Sequence, residues 1–161
     1  MKKLILMLLL IAPMTVFAQK FGKVSTQTIM SSMPEVAKAN GEMQALQKQK
    51  ENDLKAMQDE LSRKNEEYQK SKTTMNATKQ KETETELQSL YDKIQQAYQD
   101  GQTELQKKSQ ELLMPIQEKV RKAIDAVGKA GNYTFIFEDG VAIYTGAAVE
   151  DLTSKVQAQL K

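Results

Sequence analysis

Apolar residues in the middle of the chain recur at helical spacing and predict two long amphipathic helices. The first runs from Glu35 to about Met75, and its apolar positions mix seven- and eleven-residue steps. They are Met43, Leu46, Leu54, Met57, Leu61, Tyr68 and Met75. Mixed spacing is typical of a weak, changing supercoil rather than a tight zipper. Lys50, and either Lys64 or Asn65, fall where apolar residues would be expected, so the predicted seam is thin.

The second helical pattern runs from about Glu84 to Ala130. Its apolar residues step by three or four: Leu87, Leu90, Ile94, Ala97, Gly101, Leu105, Leu112, Ile116, Val120, Ile124 and Val127. Pro115 predicts a kink. Because 73–78 is polar and poor in helix formers, we expect a turn there. Residues 35–130 would then form an antiparallel hairpin of arms about 60 Å long, with its tip near 73–83.

Both ends of this hairpin carry residues that typically begin or end a helix. Ser32 and Glu35 have the spacing of a capping box, with Ser32 at the cap. Pro34 would lie in the first turn, where its missing N–H is not needed. Gly131 predicts the end of the second helix.

The chain ends predict short strands and helices. Phe21–Val24 predicts a strand, and 25–33 a helical turn or two. Asp139-Gly140 lies between the β-rich runs 133–137 and 141–144, a typical hairpin signature. Leu152, Val156 and Leu160 repeat every fourth residue and predict a short amphipathic helix. The fold class is therefore α+β, with a β-rich body made from 19–34 and 131–161.

That body is small. With the adjoining helix bases it holds roughly 55 residues, which bury too little apolar area to be comfortably stable alone. Three short strands also leave open edges. We therefore expect a cyclic oligomer that joins sheets from several subunits. The side chains expected in the shared body are Val24, Phe135, Phe137 and Ile143.

The first residues predict export. Lys2 and Lys3 precede the apolar run 4–11, and Val16-Phe17-Ala18 fits a cleavage site after Ala18. Residues 1–18 are thus interpreted as a signal peptide and the mature chain as periplasmic. The whole chain has 23 basic and 21 acidic residues, so loss of the two lysines leaves 21 of each and no net charge.

The residue composition limits which kinds of catalytic and metal-binding site the chain can form. There is no Cys and no His, which removes disulfides, the usual zinc ligands and Ser–His or Cys–His nucleophile pairs. We expect no enzyme activity and no cofactor. Export, neutral charge and the lack of a basic stripe argue against nucleic-acid binding.

The arms are the candidate binding element. Their Met and Tyr side chains could contact many partners, because Met surfaces are adaptable. The candidates are Met43, Met57, Tyr68, Met75, Tyr91 and Tyr98; the alternative is that they only pack one arm on the other. Lysines surround the tip: Lys70, Lys72, Lys79 and Lys81. They could make weak contact with membrane or lipopolysaccharide, or an acidic client, or form only a solvated turn.

Several segments resemble the Skp/OmpH family of periplasmic chaperones. Phe21-Gly-Lys-Val-Ser with Met33-Pro-Glu is similar to the family's first strand and helix entry. Leu113-Met-Pro-Ile-Gln-Glu-Lys-Val and the residues to Val127 are similar to its helix return. Tyr133-Thr-Phe-Ile-Phe-Glu-Asp and Asp151-Leu-Thr-Ser-Lys-Val resemble its ending. The resemblance spans essentially the whole mature chain.

The resemblance implies a homotrimer with a shared β-barrel, whose helical arms enclose unfolded outer-membrane β-barrel proteins without ATP. It brings no catalytic residues. Well-known members are strongly basic whereas this mature chain is neutral, so no lipopolysaccharide site is assigned. A holdase is therefore the first hypothesis. The alternative is a structural or adaptor coiled coil of the cell envelope, which would bind one defined partner.

Overall fold

The computed structural model describes residues 19–161, and the predicted signal peptide, 1–18, lies outside the described residues. The elements in chain order are β1 (Phe21–Val24), α1 (Thr26–Ser31), α2 (Pro34–Ser71), a 3₁₀ turn (Lys72–Thr74), α3 (Ala77–Ala130), β2 (Phe135–Glu138), β3 (Glu150–Asp151) and α4 (Thr153–Gln159). They fall into two compact units. The sheet unit comprises 19–26 and 123–161, and the arm unit comprises 27–122.

The sheet unit is built on β1. Its three strands are ordered β2-β1-β3, and both neighbours run parallel to β1. Gly22 and Val24 of β1 point to the buried face, where Leu152 and Val156 are also fully enclosed. The predicted amphipathic helix is thus confirmed as α4. The Ser25 N–H donates to the Thr153 hydroxyl at 3.0 Å, which ties the end of β1 to this helix.

The predicted β-hairpin across Asp139-Gly140 is wrong. A turn does form, since Gly140 has φ +82° and the Val141 N–H donates to the Glu138 carbonyl at 3.3 Å. Residues 141–144, however, form no strand within the described chain. β2 pairs with β1 instead, and the Asp139 N–H extends that ladder to the Val24 carbonyl at 2.7 Å. The backbone groups of β2 that face β1 are therefore satisfied without a hairpin partner.

The first arm helix begins as its proline predicts, but without the predicted capping box. Pro34 occupies the first turn of α2, and Met33 is the N-cap with no side-chain cap hydrogen bond. The Ser32 hydroxyl donates instead to the Ile29 carbonyl at 2.7 Å. Because that carbonyl belongs to α1, Ser32 closes the preceding helix rather than opening the next.

The second arm helix begins seven residues before its predicted start at Glu84, at Ala77. Asn76 caps it, since its side-chain oxygen accepts from the Lys79 N–H at 2.8 Å. The Thr83 hydroxyl donates to the Lys79 carbonyl at 2.9 Å, so this polar residue is satisfied inside the helix. α3 continues through Pro115, and the predicted kink stays a prediction.

Gly131 ends α3, as predicted, but it is not the residue with left-handed backbone. Asn132 has φ 52°. The Tyr133 N–H donates to the Gly128 carbonyl at 3.0 Å, and the Asn132 N–H donates to the Lys129 carbonyl at 3.3 Å, as in a Schellman motif. A Cβ on Gly131 would lie 2.2 Å from the Tyr133 ring. Glycine is needed at 131 for space.

Candidate functional site

Ion pairs connect the two arm helices along much of their length. As the position advances along α2, the partner moves backward along α3, which confirms the antiparallel hairpin. The pairs are Glu35–Lys119 at 2.5 Å, Glu42–Lys108 at 3.3 Å, Lys50–Glu104 at 2.6 Å, Lys64–Glu86, and Lys72–Glu84 at 3.7 Å.

The helix that supplies the carboxylate changes along the hairpin. The first two pairs have their carboxylate on α2, the next two have their lysine on α2, and the fifth has its lysine in the 3₁₀ turn that follows α2. The hydrogen bond with Glu104 raises the pKa of Lys50, and that with Glu86 raises the pKa of Lys64. Both lysines occupy the seam positions where apolar residues were expected. The stem of Lys50 lies 3.8 Å from where a Cβ on Gly101 would stand, so the seam is polar as well as thin.

Tyr68 is the most enclosed aromatic residue of the arm unit, with 4% of its surface exposed. Its hydroxyl donates to the Glu84 carboxylate, and this hydrogen bond raises the pKa of Tyr68 to about 12. The Lys72 ammonium lies 5.3 Å from the ring centroid. Tyr68 therefore ties α2 to α3 near the tip, and its surface is not available to a partner in this conformation.

The other candidate arm residues differ in exposure. Met43, Met57 and Met75 are half-buried. Tyr91 and Tyr98 are 51% and 55% exposed, and they lie one heptad apart on the same face of α3. Of the six candidates, these two tyrosines thus present the most aromatic surface to solvent.

Among residues 19–161, two of the grooves on the arms are lined by residues of both α2 and α3. The first, here the Tyr91 groove, has a volume of about 520 Å³ and is lined by Gln58, Leu61, Ser62, Asn65, Glu84, Leu87, Gln88 and Tyr91. The second, here the charged groove, has a volume of about 530 Å³ and is lined by Glu42, Ala45, Leu46, Gln49, Glu104, Lys107, Lys108 and Glu111. The two grooves have similar volumes but differ in the number of charged side chains that line them.

The lysines of the tip are partly neutralised. Lys72 faces Glu84, and Lys79 faces Glu82 at 3.4 Å. Among residues 19–161, Lys70 and Lys81 have no acidic partner within 4.0 Å. The tip itself is held closed by Gln80, whose side-chain amide donates to the carbonyls of Lys72 and Met75.

The face of the sheet that α4 does not cover is aromatic. Phe21, Phe135 and Phe137 stack with ring centroids 5.9 to 6.3 Å apart. Phe135 is 55% exposed and Phe137 42%. The parallel register places Phe21 opposite Phe135, which brings the rings to one face. We call these three side chains the phenylalanine cluster.

Of the four side chains expected in a shared body, one differs from the rest. Val24 is buried on the opposite face, within its own subunit. Phe135 and Phe137 belong to the phenylalanine cluster, and Ile143 is fully exposed in the segment after Gly140, beside the exposed Val141 and Tyr144. The sheet unit thus leaves a large apolar surface in contact with water.

No helix between residues 19 and 161 has the length and apolar character to cross a membrane. In the same part of the chain, no three acidic side chains are grouped so as to hold a metal ion.

Comparison with known proteins identifies the family. The model of the OmpH family, described as outer membrane protein (OmpH-like), matches residues 20–160. The chain belongs to the OmpH-like family. Comparison with curated proteins gives no match. Among solved structures, the fold of this OmpH-like protein is similar to that of one from Caulobacter crescentus, provisionally described as an outer membrane chaperone (OmpH-like). The TM-score is 0.77 at 18% identity, over 88% of this chain and 83% of the other.

Sequence reasoning missed two features of this OmpH-like chain. Phe21 was assigned to a strand but not to the exposed cluster, because its neighbour Phe135 is fixed only by the parallel register of β1 and β2. The Tyr91 groove was missed because Asn65 and Gln88 are ordinary polar residues in either helix alone. Pairing of the two helices brings them to one surface.

Proposed function

We propose that this chain is an ATP-independent holdase of the periplasm, which binds unfolded outer-membrane β-barrel proteins along its helical arms. The observation that carries the proposal is aromatic surface on the arms. Tyr91 and Tyr98 are half-exposed on a hairpin whose seam is bridged by polar pairs. Such amphipathic rings contact both apolar and polar groups of a client. Family membership and the described role of the Caulobacter protein support the same function.

The proposed working form is a homotrimer. A cluster of three phenylalanines on an uncovered sheet face is unfavourable in water, since each buried ring stabilises by roughly 1.5–3 kcal/mol. Tyr144 lines a small cavity together with Phe21 and Phe137, and its neighbour Ile143 is fully exposed. The free edge of β2 and the unpaired segment 141–144 could complete a sheet with another copy. No catalytic step or cofactor forms part of this proposal.

The test is suppression of aggregation. An outer-membrane β-barrel protein, unfolded in urea, is diluted into buffer with the mature chain and without nucleotide, and light scattering is followed. We expect scattering to fall to near zero at a small molar excess of trimer. Undiminished scattering at several-fold excess would refute the holdase. Capture from a periplasmic extract of one stoichiometric partner, in place of many β-barrel proteins, would favour the adaptor alternative.

A further inference from the structure

We infer that the Tyr91 groove is a binding subsite for uncharged, extended polypeptide of alternating apolar and neutral polar residues. This rests on the proposed holdase function and names the part of the arm that would hold such a segment. The neutral stretches of membrane-spanning β-strands have this alternation when they are unfolded.

The lining of the groove combines two kinds of side chain. Leu61, Leu87 and the ring of Tyr91 supply apolar surface. Gln58, Asn65 and Gln88 supply amides, and Ser62 a hydroxyl. A volume of about 520 Å³ accommodates a few side chains of an extended segment rather than a folded domain.

Charge distinguishes this groove from the other one. Glu84 is the one carboxylate in its lining, and that group already accepts from the Tyr68 hydroxyl and faces Lys72 at 3.7 Å. The charged groove has five ionised side chains in a similar volume: Glu42, Glu104, Lys107, Lys108 and Glu111. Each of these charges has a partner: Glu42 pairs with Lys108, Lys107 with Glu111, and Glu104 with Lys50. An apolar segment laid over them would still remove water from charged atoms, which is unfavourable even when the charges are paired. An uncharged segment should therefore prefer the Tyr91 groove.

The amides match what an extended chain exposes. A segment outside a sheet has free backbone N–H and C=O groups that need partners. Gln and Asn side chains both donate and accept. The side-chain nitrogen of Gln88 donates to Asp92 at 2.9 Å. The side-chain oxygen of Gln88 is then the group that can accept from a bound segment. The ring of Tyr91 can cover an apolar side chain while its hydroxyl stays in water.

The experiment compares two peptides and substitutions at two exposed positions of α3. A dye-labelled ten-residue peptide alternates Leu or Phe with Ser, Thr or Asn; its partner peptide has Lys and Glu at the polar positions. Binding to the full mature chain is measured by fluorescence anisotropy. Met114→Gln is the control for Tyr91→Gln, because Met114 is also exposed on α3 and lines neither groove. Tyr91→Phe tests whether the aromatic ring is sufficient for binding without its hydroxyl.

We expect the neutral peptide to bind at least about fivefold more tightly than the charged one, and Tyr91→Gln to weaken it by about fivefold or more. Met114→Gln should change affinity less than about twofold, and Tyr91→Phe should bind like the parent. Equal effects of Tyr91→Gln and Met114→Gln, or equal binding of both peptides, would overturn the subsite. Helix content by circular dichroism confirms that each variant is folded.

The aggregation assay separates this inference from the function on which it rests. If the parent chain suppresses aggregation and Tyr91→Gln does so equally at limiting concentration, the holdase stands and the subsite fails. If the parent chain suppresses nothing, the proposed function itself fails.

Discussion

Gly22 marks the closest approach between the sheet and the residues that cover it. A Cβ at this position would lie 2.5 Å from a methyl of Leu152 and 3.3 Å from the Tyr133 ring. Leu152 is fully buried. The stability of the sheet unit should therefore depend on the fit between a glycine in β1 and the leucine that precedes α4.

This fit predicts strong coupling between the two positions. Gly22→Ala should destabilise the sheet unit by about 1–3 kcal/mol through overpacking, and Leu152→Ala by roughly 2–5 kcal/mol through a cavity. In the double variant the new methyl partly fills that cavity, so the two effects should fall short of their sum by at least about 0.5 kcal/mol. Hydrogen exchange of the β1 amides measures the free energy of unfolding of the sheet unit in each variant. Losses of stability that add up in the double variant would contradict the coupling. Gly41→Ala is the control, because Gly41 has open space around it.

Glu150 predicts an acid dependence of the same unit. Hydrogen bonds from Lys155, at 2.5 Å, and from Tyr133 hold the pKa of its carboxyl at about 2, below the ordinary 4.5. Lys20 also faces it, at 3.7 Å. Because the folded pKa is the lower one, this contribution to stability is present above pH 4.5 and is lost as the pH falls toward 2.

Glu150→Gln should therefore flatten the acid limb of the stability curve. Exchange protection of the sheet amides would fall between pH 4.5 and 2 in the parent chain and change less in the variant. Glu118→Gln is the control, because within residues 19–161 the one ion pair of Glu118 is with Lys122 in its own helix, at 3.8 Å. An acid limb of unchanged steepness in Glu150→Gln would contradict the assignment.

At the scale of elements, the seam lysines limit how tightly the arms pack. Lys50 and Lys64 place ammonium groups where a coiled coil normally buries leucine. Lys64→Leu should add apolar burial between the helices and raise the thermal midpoint of the arm unit. It should also reduce the loss of stability with added salt, because the Lys64–Glu86 pair is screened by ions.

Circular dichroism at low and high salt tests this expectation. Lys48→Leu is the matched control, since Lys48 lies on the exposed surface of the same helix. If the thermal midpoint of Lys64→Leu were lower than that of Lys48→Leu, the Lys64–Glu86 ion pair would contribute more to the packing of the arms than a buried leucine would.

The helices and strands also show which parts of the fold could be predicted from the sequence. Periodicity found both arms because 3.6-residue spacing is local. The strand partner of Phe135–Glu138 was missed because alternation identifies a strand but not its neighbour, and β1 is over 100 residues away. Ser32 fitted a capping box, yet its hydroxyl was used by Ile29. Asn132, rather than Gly131, took the left-handed conformation. A distant partner decided the strand pairing, whereas a competing local partner decided the use of the Ser32 hydroxyl.

At the scale of the whole molecule, the phenylalanine cluster predicts the oligomeric state. Phe137→Gln combined with Ile143→Gln removes two exposed apolar groups that no core of the subunit needs. We expect sedimentation equilibrium to show trimer for the parent chain and a smaller species for the double variant. Tyr98→Gln, an equally exposed aromatic change in the arm unit, should stay trimeric. A parent chain that sediments as a monomer at micromolar concentration would refute the shared body.

The arms can be shortened without disturbing their closure, and this tests whether they hold the client. Removing 51–64 from α2 and 90–103 from α3 deletes two heptads from each helix. It keeps the Lys50–Glu104 pair and the tip with its Tyr68–Glu84 hydrogen bond. Because Tyr91, Tyr98 and half of the residues that line the Tyr91 groove are lost together, aggregation suppression should disappear while sedimentation equilibrium still shows a trimer. A shortened chain that stays trimeric and suppresses aggregation fully would place client binding outside the deleted part of the arms.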